Sequence, residues 1–347
     1  MQIVLAAVTQ AVGAMEIVDV PEPPEPGPGQ VVVGSMAVGI CGSDYHFFSG
    51  HLTAEAGGGQ FPRVQGHEVA GTVVAVGEGC SPELEHGRPV ALHPLSSCGT
   101  CYPCRAGRPN TCDNFQLIGI HADGGLQERL LMPADQVFPI DEDDPAVGAM
   151  AEPISIGVRA VKRARIEPGE HVVVLGAGPI GQSICLLARE RDAKVLVVDP
   201  QESRLGLSRE MGADGLAWTT SDEVVGFARD WAGGEGVPVV VDATGVPQAV
   251  RAAVDMAASA GRVVQVGMSG DEVALRVGSF TEKELDMLGV CCCGSGEFAD
   301  AVAAVERNAD TVRRLISHEF ELERAPEAID FAMSNPSEVM KVVIRGA

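Results

Sequence analysis

The chain is predicted to be an α/β protein that joins an irregular β domain to a doubly wound parallel sheet, and three observations predict this. Its first part carries short β-branched runs punctuated by glycine and proline. From about residue 154 the texture changes to apolar strand, glycine turn and helix, repeated, which is the signature of a parallel sheet covered on both faces. The final stretch ends in the apolar run Met340 to Arg345, a strand able to return to the first domain. The expected division is 1–153, then 154–290 for the parallel sheet, then 291–347 for the return. At 347 residues there is chain enough for roughly two domains, each with its own core.

In the first part, Val31 to Val33, Val69 to Val76, Val90 to Leu92 and Leu130 to Met132 are the strand candidates. The segment Pro21 to Gly29 is a turn separating a first hairpin from the strand at Val31. In the second part the strands are His171 to Leu175, Val195 to Val198, Val239 to Val241 and Arg262 to Val266, with helical stretches between them. The first eight residues are apolar but lack a basic flank and a cleavage site, and no run approaches bilayer length, so a soluble cytoplasmic protein is expected. The formal charge of −23, from 48 acidic and 25 basic residues, would repel a phosphate backbone and argues against nucleic acid as a partner. Charged stretches such as Glu202 to Glu210 are expected to be solvated helix faces.

Cys98, Cys101, Cys104 and Cys112 stand close enough in sequence for four thiolates to grip one tetrahedral zinc in a closed, structural site. An iron–sulfur cluster fits less well, because a ferredoxin run places three residues before its fourth cysteine and a proline after it, whereas here seven intervene and Asp113 follows. Disulfides fit less well too, since close neighbours bridge with strain and nothing else marks a secreted chain.

The segment from Val172 to Leu175 followed by Gly176, Ala177, Gly178, Pro179, Ile180 and Gly181 places a glycine turn between a buried strand and a helix. Such a turn lets a pyrophosphate approach the backbone amides at a helix N-terminus. A second strand ends about twenty residues on at Asp199, whose carboxylate can accept from the ribose hydroxyls and would repel a 2′-phosphate. The expected cofactor is therefore NAD, with a flavin the lesser candidate for this fold. Upstream, Cys41 in Gly39-Ile-Cys41-Gly-Ser43-Asp44-Tyr-His46, the pair His67 and Glu68, and Glu152 supply a thiol, an imidazole and carboxylates. Three such ligands with a water make an open, catalytic zinc, giving two zinc ions per chain.

The Gly66-His67-Glu68 motif, the four-cysteine lobe, the glycine turn at 176–181 and Asp-Ala-Thr-Gly at 242–245 appear in one order along the whole chain. In this the chain resembles a zinc-dependent medium-chain dehydrogenase, whose fold pairs a GroES-like catalytic domain with a Rossmann domain. Glu152 in Glu-Pro-Ile-Ser resembles the sorbitol dehydrogenase branch, and Phe61 to His67 with Leu117 to Gly125 is similar to bacterial sugar-acid dehydrogenases acting on L-galactonate, L-gulonate or L-idonate. The resemblance implies that Cys41, His67 and Glu152 hold the catalytic zinc, with Glu68 an alternate ligand or a supporting group. Asp44 would orient His67, and Ser43 with His46 would form a proton relay. Arg204 would meet the cofactor ribose, and Val266, Met268 and Cys291 would lie near the cofactor.

Phe47, Phe115 and His121 are expected to wall the substrate pocket, while His51, His86, His93 and His318 are expected to be ordinary residues. Relatives of this branch carry an arginine near Cys291 or Cys292, which this chain lacks. Consecutive side chains in a strand point to opposite faces, so Cys291 to Cys293 are read as small buried residues lining the cofactor cleft. The implied activity is reversible oxidation of a secondary hydroxyl of a polyol, cyclitol or sugar acid by a homodimer or homotetramer. Butanediol or acetoin and L-threonine dehydrogenases remain alternatives, as does a catalytically silent NAD-binding regulatory protein.

Overall fold

The computed structural model describes residues 2–52 and 58–346. The chain divides into two compact units, Met1–Ser155 with Cys293–Ala347, and Ile156–Cys292.

The first unit opens with an antiparallel hairpin, β1 (Ile3–Ala11) and β2 (Ala14–Pro21), turned at Gly13, whose φ of +70° suits glycine. Then come β3 (Gln30–Ile40), α1 (Gly42–Phe48), β4 (Arg63–Val64), β5 (Glu68–Val76) and β6 (Pro89–Leu92). A two-stranded ribbon of β7 (Leu95–Ser96) and β8 (Gln116–Leu117) carries between its strands the cysteine lobe, with α2 (Tyr102–Arg105) inside it. Next are β9 (Arg129–Pro133), β10 (Val137–Pro139), α3 (Pro145–Ala149) and α4 (Ala151–Ala164), the last crossing the division between units.

The second unit contributes β11 (His171–Leu175), α5 (Pro179–Arg189), β12 (Lys194–Asp199), α6 (Leu205–Glu210), β13 (Asp214–Ala217) and α7 (Ser221–Trp231). It continues with β14 (Val237–Asp242), α8 (Pro247–Met256), β15 (Ala257–Gln265), α9 (Gly278–Lys283) and β16 (Asp286–Gly289). The chain then rejoins the first unit with α10 (Ser295–Arg307), α11 (Ala309–Arg313), β17 (His318–Glu321), α12 (Ala325–Ser334) and β18 (Val342–Arg345). None of the described helices is long and apolar enough to cross a membrane.

In the first unit the sheet runs β10-β6-β5-β3-β18-β17, with β9 also pairing β3. The alternating apolar side chains Val31, Val33, Val38, Val69, Val73, Val90, Leu92 and Ile344 face one core with Leu126, Leu130 and Ile329. Each such side chain stabilises the unit by about 1.5–3 kcal/mol through burial. The returning run at the C-terminus forms β18, antiparallel to β3, with Val342 opposite Ile40. Because Gly39 stands opposite Glu68 in the β3–β5 pairing, residues 39–41, 67–68 and 341 meet at one end of this sheet. The register therefore assembles the candidate site.

In the second unit the strand order β13-β12-β11-β14-β15-β16 is parallel throughout, a doubly wound sheet that reverses its order between β11 and β14. Val172 to Leu175 and Val195 to Val198 are almost wholly buried, as continuous apolar strands under helices on both faces must be. Helix α5 starts with proline at its first turn behind Gly178, so the missing amide proton costs nothing there.

One expectation fails in this unit. Cys291 to Cys293 are not strand residues, because β16 ends at Gly289 and Cys292 takes a left-handed φ of +44° that turns the chain out of the ladder. Cys291 is exposed and Cys292 half-buried, so only Cys293 is the small buried residue expected.

Candidate metal centres and dinucleotide site

The four lobe cysteines converge. The Cys101 and Cys104 sulfurs are 3.4 Å apart, Cys101 and Cys112 3.7 Å, and Cys112 and Cys98 3.4 Å. These separations are far beyond a sulfur–sulfur bond, and close to the ~3.8 Å that bonds of about 2.3 Å at tetrahedral angles impose on thiolates around zinc. The amides of Cys98 and Asn114 both donate to the Cys112 sulfur at 3.3 Å, stabilising a thiolate in place. The amide and hydroxyl of Thr100, with the amide of Cys101, draw the Cys98 thiol down to about 5. The donor set fits a structural zinc.

The second cluster is built around Asp44. Cys41 caps the N-terminus of α1, and its amide donates to Asp44 Oδ2 at 2.9 Å. The Gly66 amide donates to Asp44 Oδ1 at 3.3 Å, and the Gln65 side chain donates to the Asp44 carbonyl at 2.9 Å. One buried aspartate thus ties the Cys41 loop to the His67 loop. Gly66 has φ +91°, and a Cβ there would meet Val38 Cγ1 at 2.5 Å, so only glycine lets the chain deliver His67 here.

A sulfur of Cys41, a ring nitrogen of His67 and a carboxylate oxygen of Glu68 all lie within 4.8 Å of one another. Among the described residues His67 Nδ1 is buried with no hydrogen-bond partner, Asp44 Oδ1 standing 3.6 Å away, and Nε2 lies 3.4 Å from Ser43 Oγ. Thiol, imidazole and carboxylate brought this close, the last two buried, are zinc donors, and the residues fit that ion. Glu152 stands outside this tight trio but close enough to feel its charges.

Lys341 completes the cluster and was not singled out by sequence. Its ammonium donates to both Glu68 oxygens, at 2.7 and 2.8 Å, and to the Ile40 carbonyl at 3.1 Å, so all three protons are placed. Opposite Glu68, a Cβ on Gly39 would lie 2.0 Å from Glu68 Oε2; position 39 is glycine so that this carboxylate has room. The available signal was a single lysine opening the apolar run of β18.

Burial sets the electrostatics. It would raise the Asp44 carboxyl, but His67 and the amides of Cys41 and Gly66 outweigh it and hold the group below its ordinary value. It would lower His67, but Asp44 and Cys41 hold that imidazole well above its ordinary value. Burial pushes the Glu152 carboxyl up to about 7, with Glu68 and Asp44 repelling its charge and His67 and Lys341 opposing them. Burial would depress Lys341, yet Glu68, Cys41 and Glu152 keep it above its ordinary value. The phenol of Tyr45 is raised by burial and by the charges of Asp44, Glu68 and Cys41.

Three expected pocket residues separate. Phe115 and His121 pack edge to face at 5.1 Å, and His121 Nδ1 accepts from the Leu117 amide, so this ring is a neutral acceptor. Phe47 corrects the expectation: it is fully buried against Phe61 at 4.6 Å because the apolar face of α1 turns inward, and it offers no surface to a ligand. His46 lies on the exposed face of the same helix, edge-on to His51 at 5.9 Å. His93 is a buried core residue, its Nε2 3.3 Å from the Cys293 carbonyl.

In the second unit the three glycines of the turn have distinct reasons. Gly176 has φ +99°, and a Cβ on Gly181 would strike the Gly176 carbonyl at 1.9 Å. A Cβ on Gly178 meets nothing within 4 Å, so the protein's own packing does not demand that glycine and the space above it is free for a phosphate. Pro179 and Ile180 open α5 beside it. Asp199 closes β12, its two oxygens accepting from the Ala177 and Gln201 amides at 2.8 Å, which fixes the carboxylate beside the glycine turn. The Arg204 carbonyl accepts from Gln182, anchoring the loop after β12.

At the end of β14 the buried Asp242 accepts from the amides of Thr244 and Gly245 and from Gln265, folding the loop that supports Val266 to Met268. Gly267 packs so tightly on Gly245 that a Cβ would lie 2.0 Å from the Gly245 nitrogen, and Met268 is left 85% exposed. These loops lie at the carboxyl ends of the parallel strands, where such sheets bind ligands. The cradle fits a dinucleotide.

Two family descriptions match the chain: an alcohol dehydrogenase GroES-like domain over residues 27–142, and a zinc-binding dehydrogenase over residues 179–307. The chain is 33% identical to the L-galactonate-5-dehydrogenase of Escherichia coli (strain K12), over 93% of this chain and 94% of that protein. Among solved structures it is similar to a zinc-binding dehydrogenase from Sinorhizobium meliloti 1021 bound to NADP, with TM-score 0.90 and 32% identity over 99% of this chain and 100% of that one. It is also similar to the L-idonate 5-dehydrogenase from Escherichia coli, with TM-score 0.86 and 27% identity over 99% and 98% of the two chains.

Proposed function

Since this chain belongs to the zinc-type medium-chain dehydrogenases, in their sorbitol-dehydrogenase-like branch, we propose that it reversibly oxidises a secondary hydroxyl of a polyol or sugar acid to a ketone with NAD as hydride acceptor. The observation that carries the reading is the convergence of Cys41 and His67 around Asp44, with the Glu68 and Glu152 carboxylates beside them, thiol, imidazole and carboxylate suited to a Lewis-acidic ion. The resemblance to sugar-acid dehydrogenases supports the substrate class.

In this proposal Cys41 and His67 hold the zinc, and Glu152 supplies the carboxylate, because both Glu68 oxygens are engaged by Lys341. Bound there, zinc supplies polarisation of a substrate hydroxyl and makes its proton easier to lose. The chain's own residues do the rest. Asp44, 3.6 Å from His67 Nδ1, would orient the ring that holds the ion. Ser43 Oγ, 3.4 Å from His67, is placed to receive the substrate's proton, and His46 on the exposed face of α1 passes it to water. Gly178, where a Cβ would meet nothing within 4 Å, would admit the pyrophosphate, Asp199 with Arg204 would receive the ribose hydroxyls, and Val266, Met268 and Cys291 would lie near the cofactor.

The test is a panel of sugar acids, polyols, cyclitols, short diols and L-threonine with NAD or NADP, followed by NADH or NADPH absorbance. Turnover on sugar acids or polyols is expected; activity confined to short diols or threonine would replace the substrate class, and tight NAD binding without any turnover would favour a silent regulatory protein. Replacing Asp199 with serine removes the charge opposed to a 2′-phosphate and should raise the preference for NADP by about tenfold, the equivalent of ~1.4 kcal/mol. An unchanged ratio of the two kcat/KM values would mean the ribose contact is misassigned.

A further inference from the structure

The dehydrogenase proposal gives Cys291 a place near the cofactor but no use for its sulfur or for the two cysteines that follow it after β16. Neighbouring side chains in an extended strand point to opposite faces, which would keep adjacent thiols apart. Here Cys292 has φ +44°, a conformation that side-chain-bearing residues seldom adopt, and the Cys291 and Cys292 sulfurs come to 3.9 Å and share a hydrogen bond. The turn thus converts a sequence pair into a facing pair. Cys291 is exposed, Cys292 half-buried and Cys293 buried, so the outer two thiols can meet a small solute and the third is withdrawn.

The chemistry of the pair is unequal. Hydrogen bonding from Cys292 lowers the Cys291 thiol, burial works against this, and the charge of Arg159 assists, leaving Cys291 at about 7. About half of such a thiol is thiolate at neutral pH, against a few per cent for an ordinary cysteine. A nucleophilic sulfur therefore stands beside a thiol able to resolve its oxidation product, the arrangement of reactive redox cysteines.

We propose that Cys291 and Cys292 form a modification site, a facing dithiol that a hydroperoxide oxidises to an intramolecular disulfide. The Cys291 thiolate attacks the terminal peroxide oxygen; a sulfur–oxygen bond forms, the oxygen–oxygen bond breaks, and an alcohol or water departs with the electron pair. Cys291 is now a sulfenic acid, oxidised by two electrons, and the hydroperoxide is reduced. The Cys292 sulfur attacks the Cys291 sulfur, a sulfur–sulfur bond forms, and the sulfur–oxygen bond breaks to release water with the Cys292 proton. In sum, two thiols and one hydroperoxide give one disulfide, one water and one alcohol, or a second water when the oxidant is hydrogen peroxide. A dithiol reductant reverses the change by exchange. Nothing in this chemistry depends on the dehydrogenase assignment.

The test treats the full, metal-loaded protein with hydrogen peroxide, blocks remaining thiols with iodoacetamide, and weighs the peptide that contains all three cysteines. The expected result is a loss of two hydrogen masses with one thiol still alkylated, reversed by dithiothreitol. Cys293→Ser should retain the loss with no thiol alkylated, and Cys291→Ser and Cys292→Ser should each abolish it. The proposal is overturned if the loss persists in Cys291→Ser or Cys292→Ser, which would assign the bond to Cys293. It is equally overturned if Cys291 advances to sulfinic acid without a disulfide, or if the peptide is unchanged by peroxide. Serine in place of one small thiol leaves the fold testable by circular dichroism, so a null result in a folded variant counts.

Discussion

The two metal-donor clusters of the first unit are built in opposite ways. The cysteine lobe draws all its donors from one short segment between β7 and β8, exposed or half-buried except for Cys112, with its thiolates held by local amides. The cluster at Cys41 gathers residues from α1, from the start of β5, from the head of α4 and from the residue before β18, and buries five ionisable groups at or below 8% exposure besides the half-buried thiol. The lobe is a local clip whose loop gains order from whatever ion it holds. The other is a long-range assembly in which the sheet register places the donors and buried charges are balanced against one another. A closed clip supports folding; a donor set among balanced, buried ionisable neighbours suits chemistry.

The sharpest way to break this comparison is to remove one sulfur from each. Cys41→Ser should lower turnover on the best substrate to background while the melting temperature of the zinc-loaded protein moves by no more than a few degrees. Cys104→Ser should do the reverse, lowering the melting temperature strongly, because a structural ion contributes folding energy. Circular dichroism melts beside initial rates read both. Equal loss of folding in the two variants would erase the division.

That contrast also explains what could be read from sequence. The lobe was legible because its meaning lies in spacing alone, from Cys98 to Cys112. Gly66, His67 and Glu68 were legible as a motif, and so were the glycines of the dinucleotide turn, because each encodes a local backbone demand. Lys341 was not, since it meets Glu68 across 273 residues of chain and only the β3–β5 and β3–β18 registers bring them together. Gly39 was visible as a letter but not as the empty space that Glu68 fills. Phe47 was misplaced because sequence names the helix but not which way its apolar face turns, and Cys291 and Cys292 because one left-handed residue ends the alternation that a strand would impose.

The next test probes the buried charge pair directly. Lys341→Met leaves the Glu68 carboxylate buried at 1% exposure with its ammonium gone, and breaking such a pair costs about 3–5 kcal/mol. Urea unfolding should register that loss, and adding Glu68→Gln should recover a large part of it, because no unpaired charge then remains. If the double variant also keeps its full zinc content, Glu68 is not a ligand and Glu152 is left as the carboxylate donor. Recovery of nothing would mean the pair is not balanced as the geometry implies.

The smallest effect sharpens the same point by moving to charges nearer water. Asp144 caps α3 through the Ala146 amide and pairs with Arg345 at 2.7 Å and Arg313 at 3.3 Å, both of which also reach Glu319. Burial would raise the Asp144 carboxyl, but the arginines and the Ala146 amide outweigh it and hold the group below its ordinary value. Its ionised form is therefore favoured in the folded state. The resulting stability is fully present above the unfolded value near 3.9 and disappears as pH falls through the lower folded value. Its side chain is 30% exposed and screened, so Asp144→Asn, which retains a capping oxygen, should cost no more than about 1 kcal/mol at pH 7. Measured by urea midpoints, that difference should shrink at pH values below about 3. A cost at neutral pH as large as that of Lys341→Met would show that burial is not what separates the strong pair from the weak network.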